Sequence, residues 1–276
     1  MGVAPRAPRP WILRLDAFLG YLVEVPVAIL VVAEVAILFA GIFARYVLNS
    51  PLIWSDELAS LLFLWLAMLG AAVAFRRGEH MRMTAFVNLA SPAKRAFFDV
   101  FAVVVSLAFV LLMLLPSFQA TIVQSVIHTA ALGISRSWRT AALPTGLSFM
   151  AIFAILRLIE VSNWWLVLKA LGLAVAVGLV LYALSPFFED LGNYNLLIFF
   201  VGLVALGVFT GVPIAFSFGI ATFAYLALST TVPVSVLVGR MDEGMSHLIL
   251  LAVPLFVFLG LLIEMTSMAH KMVSFL

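Results

Sequence analysis

The chain has 276 residues, 65% of them hydrophobic and 10% charged, with 15 Lys and Arg against 13 Asp and Glu. So few charges cannot cover a soluble domain of this length, which excludes the ordinary globular class. The lack of cysteine excludes disulfide staples, thiolate metal sites and cysteine nucleophiles.

Several apolar runs reach the roughly 17–25 residues that cross a bilayer as a helix. Hydrocarbon offers the backbone no water, so spans must be helices or a closed barrel, and runs without strict alternation select helices. The basic, proline-rich start, MGVAPRAPRPWILRLD, is followed by no short apolar stretch with a small-residue cleavage site, and reads as a retained cytoplasmic tail. A first span is expected over Ala17–Ala44, interrupted by Glu24, Pro26 and Glu34, and a second over Leu58–Phe75. A third starts near Phe97, passes Pro116 and continues as an amphipathic segment through Gln119, Gln124 and His128. The fourth covers Ala141–Ile159, the fifth Trp164–Leu184, the sixth Leu196–Phe209, the seventh Val212–Leu228 and the eighth Leu248–Ile263. The fold class is therefore all-α, a polytopic membrane protein of about eight helices.

With the N-terminus inside, one face of the membrane collects Arg6, Arg9, Arg14, Arg76, Arg77, Arg82, Lys94, Arg95, Arg157, Lys169 and Lys271, and the other keeps Arg45, Arg136, Arg139 and Arg240. Eleven bases against four set the orientation, with a cytoplasmic N-terminus. Because these bases sit in short loops beside apolar runs, the basic balance calls for no nucleic acid partner; the partner it implies is the lipid bilayer.

The stretch FARYVLNSPLIWSDELASLLFLWLAMLGAAVAFRRGEHMRM, Phe43–Met83, places acids before an apolar run and arginines after it. Asn49, Ser50 and Pro51 end the first helix, because the residue before proline disfavours helical geometry. Trp54 suits the interface and Ser55 the N-cap of the returning helix, with Asp56 and Glu57 in its first turn against exposed amides, and Arg76 and Arg77 at its end. On this reading the charges orient and cap.

Glu34 lies mid-span, where a carboxylate costs about 2.5–3.5 kcal/mol on insertion scales. It is read as a packing residue facing a helix groove, with an ion or proton ligand as the alternative. Glu79 and His80 lack the i, i+4 histidine spacing of a helical metal site and are read as a cytoplasmic turn against lipid or the second half of the chain. His128, His247 and His270 stand far apart, which leaves no metal site, and the Ser148 region lacks a nucleophile elbow. Pro213 is assigned to a tight turn after Gly211 and Val212, and Pro254 to a helix kink. No catalytic, cofactor-binding or metal-binding residue emerges, and substrate-binding residues are not assigned.

RYVLNSPLIWSDELA followed by FLWLAMLGAAVAFRRGEHMRM resembles the small membrane subunit of tripartite ATP-independent periplasmic transporters, through Arg45, Asn49, Pro51, Trp54, Glu57, Arg77, Gly78, Glu79 and His80. SWRTAALPTGLSFMAIFAILRLIE resembles the fourth helix of such subunits. GVPIAFSFGIATFAYL and HLILLAVPLFVFLGLLIEMTSMAHKMV resemble the opening of the large subunit, the second with Pro254, Gly260 and Glu264. The resemblance implies a small-subunit domain at 1–162, a linker helix at 163–193 and the beginning of a large-subunit domain at 194–276.

It further implies a sodium-coupled secondary transporter of the bacterial inner membrane that imports organic acids, dicarboxylates or related carboxylates. Its partners would be a periplasmic substrate-binding protein and the remainder of the large transport subunit. The small-subunit part would act as scaffold, and Asp56–Glu57, Glu189–Asp190 and Arg136–Arg139 would offer a docking face. The small-polar hairpin tips that hold sodium and substrate in the family have no counterpart here. The alternative expectation is therefore a non-transporting scaffold or a truncated remnant without its own transport site.

Overall fold

A computed structural model describes residues 10–268 and 271, except for the side chains of Glu189, Asp190 and Leu248. Arg6, Arg9 and His270 lie outside the described residues.

Helix α1, Pro10–Tyr46, opens with proline at its first position, where the missing N–H costs no bond. It therefore includes the last residues of the expected tail. Its 37 residues rise about 55 Å, well beyond the roughly 30 Å of hydrocarbon, so its ends reach past the apolar layer. Chain reversal follows through Asn49, which takes a positive φ of 49° before Pro51. Helix α2, Ile53–Arg77, ends in a Schellman motif. Gly78 adopts φ 72°, its N–H donates to Phe75 O, and the Glu79 N–H donates to Ala74 O over 2.9 Å.

A short helix α3, Ala85–Leu89, leads into α4, Pro92–Val123, which extends as a 3₁₀ turn over Gln124–Val126. Pro116 removes a donor inside α4; beyond it Ser117 Oγ donates to Leu114 O and Thr121 Oγ1 to Ser117 O. The expected amphipathic continuation stops there, because His128 turns back into an isolated antiparallel bridge with Ser135. Helices α5, Ser137–Thr140, and α6, Ala142–Glu160, form the fourth span. Asn163 caps α7, Trp164–Ala183, by accepting from the Trp165 N–H.

Four of these helices and α7 stand in a row. Helix α2 packs between α1 and α6, α6 between α2 and α4, and α4 between α6 and α7. The α2–α6 contact is close because Gly146 faces the α2 backbone: a Cβ there would lie 2.8 Å from Met68 O. Small residues serve membrane helices in this way, since lipid supplies no hydrophobic drive for association.

The rest of the chain lies along the row. Helix α8, Ser185–Leu191, precedes an apolar helix over Tyr194–Phe209 made of α9, Tyr194–Leu196, a π-helical stretch, Leu197–Leu203, and α10, Val204–Phe209. Within it Phe199 is fully buried, edge-on to Phe188 and Tyr225. Gly211, at φ 84°, makes the expected tight turn into α11, Ile214–Ser229. Helix α12, Ser235–Met245, a 3₁₀ turn over Leu248–Leu251, and α13, Ala252–Met265, complete the described chain. Helix α11 rests on α4 and α7, α12 on α4 and α2, and α13 on α1.

Among the described residues five helices are long and apolar enough to cross a membrane, with a sixth if the bent pair of α12 and the Ile249–Met265 helix counts as one. The expected sixth and seventh spans are shorter helices; α11, with 16 residues, rises about 24 Å. The protein is an all-α, multi-pass integral membrane protein, and among the described residues the eight or so expected helices are five full spans, two shorter helices and a bent pair. Pro254 is not the kink. It stands in the first turn of α13, where no helical bond is lost, and the 53° bend precedes it.

Candidate functional site

Most of the residues singled out in the sequence lie toward the two ends of the row, with Glu34 and Pro254 standing apart. At the basic end, Arg76 reaches across to α1. Its Nε and one terminal nitrogen donate to Asp16 Oδ2 at 3.0 and 2.8 Å, and the other terminal nitrogen to Glu24 Oε1 at 3.0 Å. Arg77 joins at Glu24, 3.1 Å away. Asp16, Gly20 and Glu24 fall at i, i+4 and i+8 on one face of α1, and the guanidinium lies against Gly20, where a Cβ would come within 2.1 Å of it. That spacing was readable in the sequence and marks the partner of Arg76.

Beyond Gly78, Glu79 is exposed and His80 turns inward. The His80 ring meets Phe75 edge-on at 5.8 Å and Phe216, from α11, at 5.2 Å, and its Nε2 lies 3.1 Å from Ala71 O. Burial holds its pKa below the ordinary 6.5, while the bond to Ala71 O opposes that shift. Next to it the Ile214 N–H donates to Met81 O over 3.1 Å, just after Pro213. The structure thus brings Arg77, Gly78, His80 and Pro213 to one place, and adds Phe216, which sequence reasoning missed because an aromatic in an apolar run carries no signal of its own.

At the opposite end Ser55 is not the N-cap. Helix α2 begins earlier, after Leu52, and Ser55 Oγ instead donates back to Leu52 O. Asp56 pairs with Arg45 at 3.0 Å, half-exposed on both sides, a contact worth about 0–1 kcal/mol. Glu57 does not serve its own helix terminus. It accepts from the Ala131 N–H at 2.7 Å and the Leu132 N–H at 3.3 Å, holding the loop between α4 and α5. Trp54 is exposed, as an interfacial aromatic should be, and Asn49 and Pro51 shape the preceding turn. Arg139, just after that loop, meets Asp242 of α12 at 3.3 Å with both side chains largely buried. The two atoms lack the alignment of a hydrogen bond, so charge alone holds this contact. Pro254 lies on neither cluster; the turn before it buries Leu251 against Ala59 and Phe63 of α2.

Glu34 belongs to the interior of the row. Gly20, Val27, Glu34 and Gly41 recur every seven residues along the side of α1 that packs on α2. Gly20 meets Arg76 and Gly41 meets Ser55, an antiparallel register that sets Glu34 level with the apolar stretch near Ala59–Leu66. It is fully buried, and neither carboxyl oxygen has a hydrogen-bond partner among the described residues. Between the two ends the halves leave an apolar groove of about 350 Å³, bordered by Val105, Leu112, Val177, Leu181, Leu206 and Phe223. Among the described residues no group of three or more His, Asp or Glu is placed to hold a metal ion.

The family described as "Tripartite ATP-independent periplasmic transporters, DctQ component" matches residues 34–163, and its "DctM component" counterpart matches residues 200–276. The sialic acid TRAP transporter small permease protein SiaQ of Vibrio cholerae is 33% identical over 124 residues, covering 70% of that protein and 44% of this chain. The chain belongs to the tripartite ATP-independent periplasmic (TRAP) transporter family. The sialic acid TRAP transporter permease protein SiaT of Haemophilus influenzae is 32% identical over 260 residues, which are 89% of this chain and 42% of that protein. The C4-dicarboxylate TRAP transporter small permease protein DctQ of Vibrio cholerae is 28% identical over 107 residues, 39% of this chain and 46% of that protein. This TRAP chain thus spans less than half the length of the SiaT permease. These relatives are permeases, so the chain is a transporter component carrying Q-like and M-like parts, and not an enzyme. In those terms the DctQ match covers the row from Glu34 to Asn163, without α7, and the DctM match begins within the Tyr194–Phe209 helix.

Proposed function

We propose that the chain acts in the bacterial inner membrane as part of a sodium-coupled TRAP importer of organic carboxylates that takes substrate from a periplasmic binding protein. In this reading the row from α1 to α7 is a static brace, residues 1–162 with the linker helix at 163–193. The M-like helices at 194–276 begin the part that moves. The observation that carries the reading is the seam: the M-like helices are pinned to the row at both ends, by His80, Met81 and Phe216 at one and by Arg139 and Asp242 at the other.

Sialic acid and C4-dicarboxylates, named for the relatives, are both carboxylates, which supports the substrate class. The eleven bases assigned to one face support a cytoplasmic N-terminus. Sodium is co-transported cargo, assigned to no residue of this chain, and the remainder of a large subunit is the partner expected to hold it. The outer loop fastened by Glu57, with Arg136 and Asp56 beside it, is the surface offered to the binding protein. The side chains of Glu189 and Asp190, expected to join it, lie outside the described residues.

Uptake of labelled carboxylates into proteoliposomes tests the reading, with the full transporter assembled around this chain and a binding protein. Uptake that needs both a sodium gradient and the binding protein is expected; uptake indifferent to either would overturn it. The second reading is a non-transporting scaffold. It predicts that this chain reconstituted alone moves no substrate yet still captures the remaining large-subunit helices.

A further inference from the structure

At the basic end, the start of α1 and the last turns of α2 and α6 enclose a cavity of about 250 Å³. Phe153 and Leu156 give it an apolar floor, and Asp16, Arg76, Arg157 and Glu160 give it a charged rim. Arg76 is committed to Asp16 and Glu24. Arg157 and Glu160 are not: three residues apart on α6, a spacing at which opposite charges normally pair, they form no ion pair or hydrogen bond among the described residues. Arg157 instead lies over Gly78, its guanidinium nitrogens 3.6 and 3.7 Å from where a Cβ would stand. Asp16 holds Arg76 through Oδ2, which leaves Oδ1 free for another donor.

A cavity with one free cation and two free acceptors of opposite charge suits a ligand carrying both signs. Two helix C-termini border it, and their negative dipole ends disfavour a bare anion while favouring a cation. Its depth is that of a headgroup, since Trp11, Trp164 and Trp165 are exposed at the same end of the row, as interfacial tryptophans are. We propose that this cavity seats the phosphoethanolamine headgroup of a membrane phospholipid, with its phosphate on Arg157 and its ammonium on Glu160 and Asp16 Oδ1. The ammonium has three donors for these oxygens; a choline headgroup has none, and a glycerol headgroup brings no positive charge. The lipid would tie α1 to α6, two helices with little direct contact of their own, across the end of α2. This inference goes beyond the transport reading and does not depend on it.

Native mass spectrometry of the full chain, delipidated and then exposed to phosphatidylethanolamine, phosphatidylcholine or phosphatidylglycerol, tests the site. Thermal unfolding with and without each lipid provides a second readout. The chain is expected to retain phosphatidylethanolamine several-fold over the other two. Arg157→Gln should abolish retention of all three. Glu160→Gln should keep binding but lower phosphatidylethanolamine to the level of phosphatidylglycerol. Both positions are exposed, so the lipid-free unfolding midpoints should match the parent chain. Equal retention of the three lipids, or a preference untouched by both variants, would overturn the proposal. So would full stabilisation by water-soluble phosphoethanolamine, because no membrane lipid would then be required.

Discussion

The two ends of the seam are fastened by different physics. At the basic end, ion pairs join members of the row, Arg76 and Arg77 with Asp16 and Glu24, Arg82 with Asp99. Contact with the M-like helices is left to rings and one backbone hydrogen bond. At the opposite end the crossing contact is a charge pair, Arg139 with Asp242, and the loop leading into it is held by Glu57. Ring packing gives gradually when one body slides on another. A largely buried ion pair holds until it breaks, because separation exposes each charge to an apolar surrounding. One end is therefore suited to pivot and the other to latch.

Breaking the latch should produce the largest effect. Arg139→Ala leaves Asp242 buried without its partner, a loss of about 3–5 kcal/mol for pairs of this kind. A lowered unfolding midpoint and faster hydrogen exchange in α12 would show it. Exchanging the charges, Arg139→Asp with Asp242→Arg, should recover part of the loss; an exchange no better than either single change would mean that shape, not charge, holds this end.

Glu57→Gln sharpens the same comparison one step back. The amide keeps the shape of the carboxylate but weakens the two charge-assisted bonds from the Ala131 and Leu132 amides, which stand near solvent and so contribute less than a buried bond of this kind. Exchange protection at those two amides should fall while protection within α2 stays, and the Arg139 contact should weaken with the loop.

How much of this was legible beforehand depended on the kind of signal. Apolar runs betray helices because hydrocarbon forces backbone groups to bond within their own segment. The first five spans were accordingly readable, whereas the shortening of the next two and the bend before Leu248 depend on how those helices lie on the row. Several motif residues lie near the ends of the row, but their bonds did not follow from local rules. Asp56 and Glu57 occupy positions where a carboxylate normally complements its own helix, yet one pairs with Arg45 and the other reaches a loop 74 residues on. Such tertiary choices leave no trace in the spacing. Asp16, Gly20 and Glu24 did leave one, since a stripe at fourfold spacing around a glycine is a ready cradle for an arginine. Arg139 and Asp242 carried no such mark, because each stands beside another charge, Arg136 in one segment and Arg240 and Glu243 in the other, with no spacing that singles it out.

Acid should loosen the pivot. His80 is neutral in the fold at pH values where the unfolded chain already binds a proton, because its folded pKa lies below 6.5. Stability therefore rises with pH up to about that value and levels off above it; acidifying below 6.5 withdraws the difference progressively. His80→Gln should flatten this dependence in thermal unfolding, and a profile unchanged by the substitution would assign the titration to another group.

The smallest effect is expected away from both ends. Glu34 repeats the heptad of Gly20, Val27 and Gly41, so its side chain fills the α1–α2 seam inside the row, on elements assigned to the static brace. Glu34→Gln preserves volume and removes only the chance of a charge, and should leave stability and the sodium dependence of the assembled transporter within error. Glu34→Lys should instead lower the unfolding midpoint, because a longer cation must then fit a fully buried position between α1 and α2. If Glu34→Gln abolished sodium dependence while the row stayed folded, the brace would not be static, because a residue that touches neither end of the seam would then be taking part in coupling.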